Sequence, residues 1–161
     1  MNFTLRRQKE RIMKTYAKSA LGVTLLEIML VLAIAAMIIV MSIRYYQSAT
    51  SSQQANQMLA QIQAISAAAD NLAQGTGSYA GGGVSTATVT QLVPEGSMTA
   101  PWGGNITITN AAASSYSVNV TGTPRAVCPL LTSRLTANNH FTNVNCPATG
   151  GTLTYTYLAN P

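Results

Sequence analysis

Two patterns of apolar positions follow each other without a break from Val23 to Gln74, a stretch that contains neither Gly nor Pro. Residues 23–43 are a 21-residue apolar run, close to the roughly 20 residues with which a helix crosses the hydrocarbon core of a membrane. The second pattern is a stripe with spacings of three and four residues, as expected on one face of an amphipathic helix. Its members are Ala55, Met58, Ile62, Ile65, Ala69 and Leu72. One long helix is therefore predicted, apolar on all sides in its first half and along one face in its second.

A Gly-rich segment, residues 75–83, is predicted to end this helix and to begin a connecting loop. Beyond it, apolar positions alternate with Thr, Ser and Asn, which is the period of a β-strand with one buried face. Residues 105–109 and 116–120 are predicted to form a hairpin, and residues 152–158 a third strand. The pattern thus predicts an α+β fold in which the stripe of the helix covers a small antiparallel sheet.

The net charge of +5 comes from the N-terminal residues, and this location decides which partners it predicts. Residues 1–22 contain six basic residues and one acid, whereas the three arginines after residue 22 are balanced by Glu27, Asp70 and Glu95. A basic domain surface of the kind that binds nucleic acid is therefore not expected, and no nucleic-acid partner is predicted. A short cationic segment before an apolar run is instead typical of the cytoplasmic side of a membrane crossing.

Three hypotheses explain the apolar run. A cleaved secretory signal requires a small-residue cleavage site after the run, but Arg44 and two tyrosines follow it. An uncleaved signal anchor fits the length and the charges, yet it leaves Glu27, the one ionisable residue inside the run, without a role. The third hypothesis is cleavage before the run, between Gly22 and Val23, so that the apolar segment stays in the mature protein.

The residues around that bond resemble the type IV prepilin signature. The sequence from Gly22 to Glu27 is G-V-T-L-L-E, and an unbroken apolar stretch follows it. The signature combines a Gly at the cut, an apolar first mature residue and a Glu at the fifth mature position. The 22-residue leader and the Val at the first mature position are most similar to the type IVb subclass, in which Met or Leu is commoner than Val. Residues 101–104, Pro-Trp-Gly-Gly, are similar to a turn that precedes the sheet in type IVb pilins.

The resemblance implies roles for three residues. Prepilin peptidase is expected to cut between Gly22 and Val23 and to methylate the new amine of Val23. A carboxylate at membrane depth costs roughly 2.5–3.5 kcal/mol, so Glu27 is expected to have a partner. In the resembling family that partner is the amine of a neighbouring subunit's first residue, which implies a role for Glu27 in subunit assembly. The alternative is a Glu27 that is protonated or reaches the membrane interface.

The two cysteines, Cys128 and Cys146, are predicted to form a disulfide, because a cysteine pair in an exported chain is more often bonded than free. Between them the sequence predicts a short apolar turn of helix followed by a polar loop. A metal site is the alternative, but Cys128, His140 and Cys146 offer three ligands where structural zinc takes four. No metal and no cofactor are predicted.

No catalytic set is predicted either. His140 is the single histidine, and no acid lies near it in the sequence. The three carboxylates after residue 22 lie in the apolar run, on the helix and in a Pro-Glu-Gly turn, so no paired-carboxylate site is predicted. The protein is therefore expected not to be an enzyme.

The resemblance implies a pilin fold with four segments. These are a cleaved basic leader (residues 1–22), the transmembrane and assembly half of the helix (23–43), its amphipathic half (44–74), and a β-rich head with a C-terminal disulfide loop (75–161).

The expected function is that of a structural subunit of a bacterial type IV pilus used for adhesion, aggregation or cell contact. Its partners would be further copies of itself, prepilin peptidase, the inner-membrane assembly machinery and, before assembly, membrane lipid. The protein is expected in the inner membrane before assembly and in an extracellular filament afterwards. A minor pilin or a type II secretion pseudopilin is the main alternative, and a membrane anchor unrelated to pili is a distant third.

Overall fold

The structure is a computed structural model that describes residues 24–81 and 83–160. Two compact units share the chain, with the boundary between Arg44 and Tyr45. The described part of the first unit is helical from Leu25 on, and the second unit, called the head below, contains the sheet.

Helix α1 spans Leu25–Thr76, 52 residues, which confirms the predicted long helix. Thr24 caps its start, because the hydroxyl and carbonyl oxygens of Thr24 accept from the Glu27 N–H at 3.3 and 2.9 Å. The helix ends at Thr76, two residues later than predicted. Gly77 follows it with a φ of 72°, the left-handed conformation that glycine adopts without strain. The Gly77 N–H donates to the Ala73 carbonyl at 2.7 Å and so closes the last turn.

The first unit exposes apolar side chains around its whole circumference. Every Leu, Ile, Val and Met from Leu25 to Ile43 is exposed, with exposed fractions between 46% and 81%. An 18-residue window of α1 reaches a mean hydropathy of 2.7, so that this helix is long and apolar enough to cross a membrane. A surface of this size is too apolar to be left in water, and it requires lipid or protein around it.

The second part of α1, which belongs to the head, buries one stripe against the rest of the head. The predicted stripe residues Ala55, Met58, Ile62, Ile65 and Ala69 are each 0–1% exposed, and Leu72 is half-buried. Ala68 joins this buried face. The stripe packs in one core with the inward-facing residues of the sheet, as the α+β prediction requires.

The sheet has four antiparallel strands in the order β1-β2-β4-β3. The strands are β1 Ile106–Thr109, β2 Ser115–Thr123, β3 Phe141–Asn145 and β4 Gly151–Leu158. Ile108 lies opposite Val118, which in turn lies opposite Tyr155, and all three face the core. The alternate residues, mostly Thr, Ser and Asn, face outward and account for the period-two pattern of the sequence.

The β1–β2 hairpin and the strand β4 confirm the three predicted strands. The prediction missed β3, which lies inside the disulfide-bounded segment where a polar loop was expected. Its apolar residues Phe141 and Val144 are only half-buried, and their alternation is broken at Asn143. Asn143 has a φ of 52°, and the pairing with β4 shifts register between Thr142 and Asn145. The bulge explains why the strand shows no regular period.

Two short helices complete the head. Helix α2 spans Thr86–Leu92 and begins with a capping box between Ser85 and Thr88. Helix α3 spans Cys128–Thr136 and is the predicted apolar turn. The hydroxyl of Thr86 accepts from the Ile108 N–H at 2.9 Å and donates to the Ile108 carbonyl at 3.4 Å. The α2 end thereby covers the outer edge of β1.

Candidate functional site

The residues predicted to act in processing lie at the N-terminal end. Gly22 and Val23 are outside the described residues, so their roles stay predictions. Glu27 is exposed in the first turn of α1. In Thr24-Leu25-Leu26-Glu27 the acid occupies the third helical position after the cap, which is the spacing of a capping box. The cap fixes where the helix starts and therefore places Glu27 at the end of the first turn.

The surroundings of Glu27 are apolar. Its helical neighbours three and four residues on are Leu30 and Val31, and both are exposed. Within the part of the chain that the structure describes, the carboxylate has no ionic partner. An acid on an apolar surface can neither remain in lipid cheaply nor be covered by apolar residues without a compensating donor. The arrangement is therefore suited to receiving a cation or a hydrogen-bond donor from another molecule.

Cys128 and Cys146 are joined by a disulfide, with a Cα–Cα distance of 5.7 Å, which confirms the predicted pairing. Cys128 is the first residue of α3 and is buried, while Cys146 directly follows β3. Because both sulfurs are in the bond, neither is available as a metal ligand. His140 lies elsewhere: its Nδ1 is 2.8 Å from the Leu158 carbonyl oxygen, and its ring stacks on Tyr157.

Sequence reasoning missed a polar cluster in the head formed by Asp70, Tyr79 and Tyr157, called the Asp70 cluster below. The Tyr79 hydroxyl donates to one carboxylate oxygen of Asp70 at 2.5 Å, and the Tyr157 hydroxyl donates to the other at 3.0 Å. Three segments of chain meet here, since Asp70 is on α1, Tyr79 is in the loop after it and Tyr157 is on β4. The ring of Tyr116 lies 5.4 and 5.2 Å from those of Tyr79 and Tyr157.

The tyrosines of this cluster act as donors at physiological pH. Burial, together with the hydrogen bond to Asp70 and its negative charge, raises the pKa of Tyr157 to about 12. The same causes raise the pKa of Tyr79, and burial raises the pKa of Tyr116 and of Tyr155. Protonated phenols beside a carboxylate form strong, charge-assisted hydrogen bonds. The cluster therefore ties the helix to the sheet through two hydrogen bonds to one carboxylate.

An open cavity of about 530 Å³ borders the Asp70 cluster. Its walls include the end of α1 and the following loop, the turn between β1 and β2, and residues just after β4. A second groove of about 530 Å³ lies beside the disulfide and is lined by Arg125, Pro129 and both cysteines, among others. The only sequence signal for the Asp70 cluster was Asp70 itself, a single acid on the polar side of the helix. The tyrosines that complete it are 9 and 87 residues away.

Comparison with known proteins gave one result. The model of a protein family described as PilS N terminal matches residues 52–157. The match therefore covers residues 52–76 of α1, both short helices and the sheet up to Tyr157. No curated protein and no solved structure matched the chain.

Proposed function

Since the chain belongs to the PilS N-terminal family of type IV pilus proteins, we propose that it is a type IV pilin of the type IVb subclass. In this proposal prepilin peptidase removes residues 1–22, and the mature protein begins with a methylated Val23. The mature subunit is then held in the inner membrane by residues 23–43 until the assembly machinery adds it to an extracellular filament. The filament serves adhesion, aggregation or cell contact.

One observation carries the proposal: the exposed apolar helix has a single acid, Glu27, in its first turn. In the membrane, lipid covers the fourteen exposed Leu, Ile, Val and Met side chains of residues 25–43. In a filament, the same residues of other copies replace the lipid, and the apolar surface remains out of water. The carboxylate is then compensated by the Val23 amine of a neighbouring copy, a cation that exists only after cleavage. The pairing would fix the axial offset between adjacent subunits.

The head favours a filament subunit over a secretion pseudopilin. Its C-terminal region is closed by the Cys128–Cys146 disulfide. A pseudopilin whose C-terminal loop is held by calcium would require clustered carboxylates in that region. Residues 121–161 contain no Asp or Glu. A minor pilin remains the second candidate, because it would share the helix, Glu27 and the disulfide. Abundance separates the two candidates. Filaments are sheared from the cells and checked by negative-stain microscopy, and their protein bands are identified by mass spectrometry. If the chain is the major subunit, it should form the main band.

The first experiment tests processing. The mature N-terminus, determined by mass spectrometry, should be N-methylated Val23. Substituting Gly22 by a bulky residue should leave full-length precursor in the membrane, because a residue without Cβ allows the closest approach of the backbone to the peptidase. A mature start after residue 43 would contradict the proposal, since the apolar helix would then have been removed.

The second experiment tests Glu27. The Glu27→Val variant should enter the membrane at least as well as the wild type, because the cost of a buried charge is gone. Its filaments should be sparse or absent, since the incoming amine would lose its partner in a low-dielectric environment. Glu95→Gln is the matched control, because it removes an exposed carboxylate from a turn of the head. Normal numbers of filaments from Glu27→Val, with no wild-type subunit present, would show that Glu27 does not guide docking.

A further inference from the structure

The Asp70 carboxylate has more hydrogen-bonding capacity than the head uses. An ionised carboxylate offers about four acceptor positions, and two tyrosine hydroxyls occupy one on each oxygen. Asp70 also lines the open cavity, where Gln74, Ser78, Ser114 and Asn160 add polar groups. No Lys or Arg is among the described residues that line it. The cavity therefore presents one negative charge without a cation.

The three arginines among the described residues also have no ionic partner there. Within residues 24–81 and 83–160, no ion pair joins any acid to Arg44, Arg125 or Arg134. Arg134 is engaged otherwise, since its guanidinium donates to Asn56 at 2.6 Å. Arg44 belongs to the apolar unit. Arg125 is the arginine of the head that is exposed, lines the groove beside the disulfide and makes no side-chain hydrogen bond to another described residue.

The unpaired acid and the unpaired arginine lie at opposite ends of the sheet. Tyr157, which bonds Asp70, pairs with Tyr116 near the start of β2. Arg125 follows the end of β2, where Thr123 pairs with Gly151. At about 3.3 Å per strand residue, the two ends are on the order of 20 Å apart. Arg125 therefore cannot reach the Asp70 cavity of its own chain.

From this geometry we propose that the Asp70 cavity of one head receives the guanidinium of Arg125 from a second copy of this chain. The planar fork of an arginine can donate two parallel hydrogen bonds to the free acceptor positions of the carboxylate, a pairing that lysine does not reproduce. In a filament built by one repeated step the contact is heterologous, so that each copy offers its Asp70 cavity to one neighbour and its Arg125 to another. The inference rests on the proposed function, since the second copy is the next subunit of the filament.

The test places a photo-crosslinking amino acid at Gln74, an exposed helical position that lines the cavity. Filaments of the full chain are irradiated, and crosslinked dimers are digested and sequenced by mass spectrometry. The probe should join residue 74 of one copy to residues 123–127 of another. A probe at Gln91, which is exposed on α2 and outside the cavity lining, replaces the same residue type and is the matched control; it should not give this product.

A substitution series then tests the charge. Arg125→Gln should lower the yield of the residue-74 crosslink by about tenfold, and Arg125→Lys should restore only part of it. Arg134→Gln should leave the yield unchanged. The two Arg125 variants should retain the disulfide and the thermal stability of the wild type, because Arg125 is exposed and makes no side-chain hydrogen bond to another described residue.

The outcomes separate this inference from the proposed function. Normal filaments in which the residue-74 probe joins another segment, or an unchanged yield from Arg125→Gln, would overturn the Arg125 contact and leave the pilin proposal intact. Absence of any filament from the wild-type chain would overturn both.

Discussion

Replacing Tyr157 by phenylalanine removes one hydroxyl and keeps the ring in the core. The lost bond is the 3.0 Å donation to Asp70. A hydrogen bond to a charged group contributes about 1.5–3 kcal/mol to stability. Tyr157 is 9% exposed and borders the open cavity, so that water compensates for only part of the lost hydroxyl. The Tyr157→Phe variant should therefore lose about 2 kcal/mol of unfolding free energy. Tyr79→Phe should lose a similar amount, since its hydroxyl donates to the other carboxylate oxygen.

The measurement is urea unfolding of the full chain in detergent, followed by the fluorescence of Trp102. This is the single tryptophan of the chain, and its Nε1 donates to the Thr121 carbonyl at 3.0 Å, so that its emission reports on the head. Tyr45→Phe serves as the control, because Tyr45 is 80% exposed and should show no change.

A double-mutant cycle identifies the acceptor. In an Asp70→Ala background, Tyr157→Phe should cost much less than it does in the wild type, because the bond is already gone. An equal cost in both backgrounds would refute the assignment of the bond to Asp70. A wild-type cost below about 0.5 kcal/mol would show that the contact contributes little.

Three further predictions concern the head. Replacing Cys128 and Cys146 together by serine should lower the free energy of unfolding by about 3 kcal/mol, because the disulfide closes a loop with a sequence separation of 18 and so reduces the entropy of the unfolded chain. Equal urea midpoints for the oxidised wild type and the variant would contradict this. Stability should fall between pH 10 and about 12, because unfolded tyrosines lose their protons near pH 10, while the raised pKa of Tyr157 keeps it protonated in the fold until about 12. Thermal melts should show a shallower alkaline fall for Tyr157→Phe. Gly104→Ala should cost about 1–3 kcal/mol, because its Cβ would overlap a backbone carbonyl of β2, whereas Gly75→Ala, with open space around it, should cost nothing.

The sequence predicted the elements whose burial is regular. The stripe of α1 repeats every three or four residues because one helical face meets the core throughout. The strands β1, β2 and β4 alternate because one sheet face meets the same core. Strand β3 escaped prediction for the opposite reason: it lies at the sheet edge, and Asn143 shifts its register. Helix α2 is seven residues long and Thr-rich, too short for a period to appear.

The candidate sites divide in the same way. Glu27 was predicted because local spacing defines it, four residues after Val23 within an apolar run. The Asp70 cluster was not, because its members meet only when α1, the following loop and β4 pack together. Nothing in the sequence near Tyr157 indicates that its hydroxyl reaches the helix. Contacts between residues so far apart in the sequence depend on the order of the strands in the sheet. The position of β4 between β2 and β3 was not predictable from the spacing of apolar residues alone.

The contact between Thr86 and Ile108 has a consequence for colloidal behaviour. A bare strand edge is a template for strand addition, the route by which β-rich proteins aggregate. On the β1 side, the Thr86 hydroxyl occupies both backbone groups of Ile108. On the β3 side, the left-handed Asn143 interrupts the flat ladder that an added strand would need. Many copies can thus be crowded side by side while their sheets stay separate, so that growth by strand addition does not compete with the proposed filament growth through the helix.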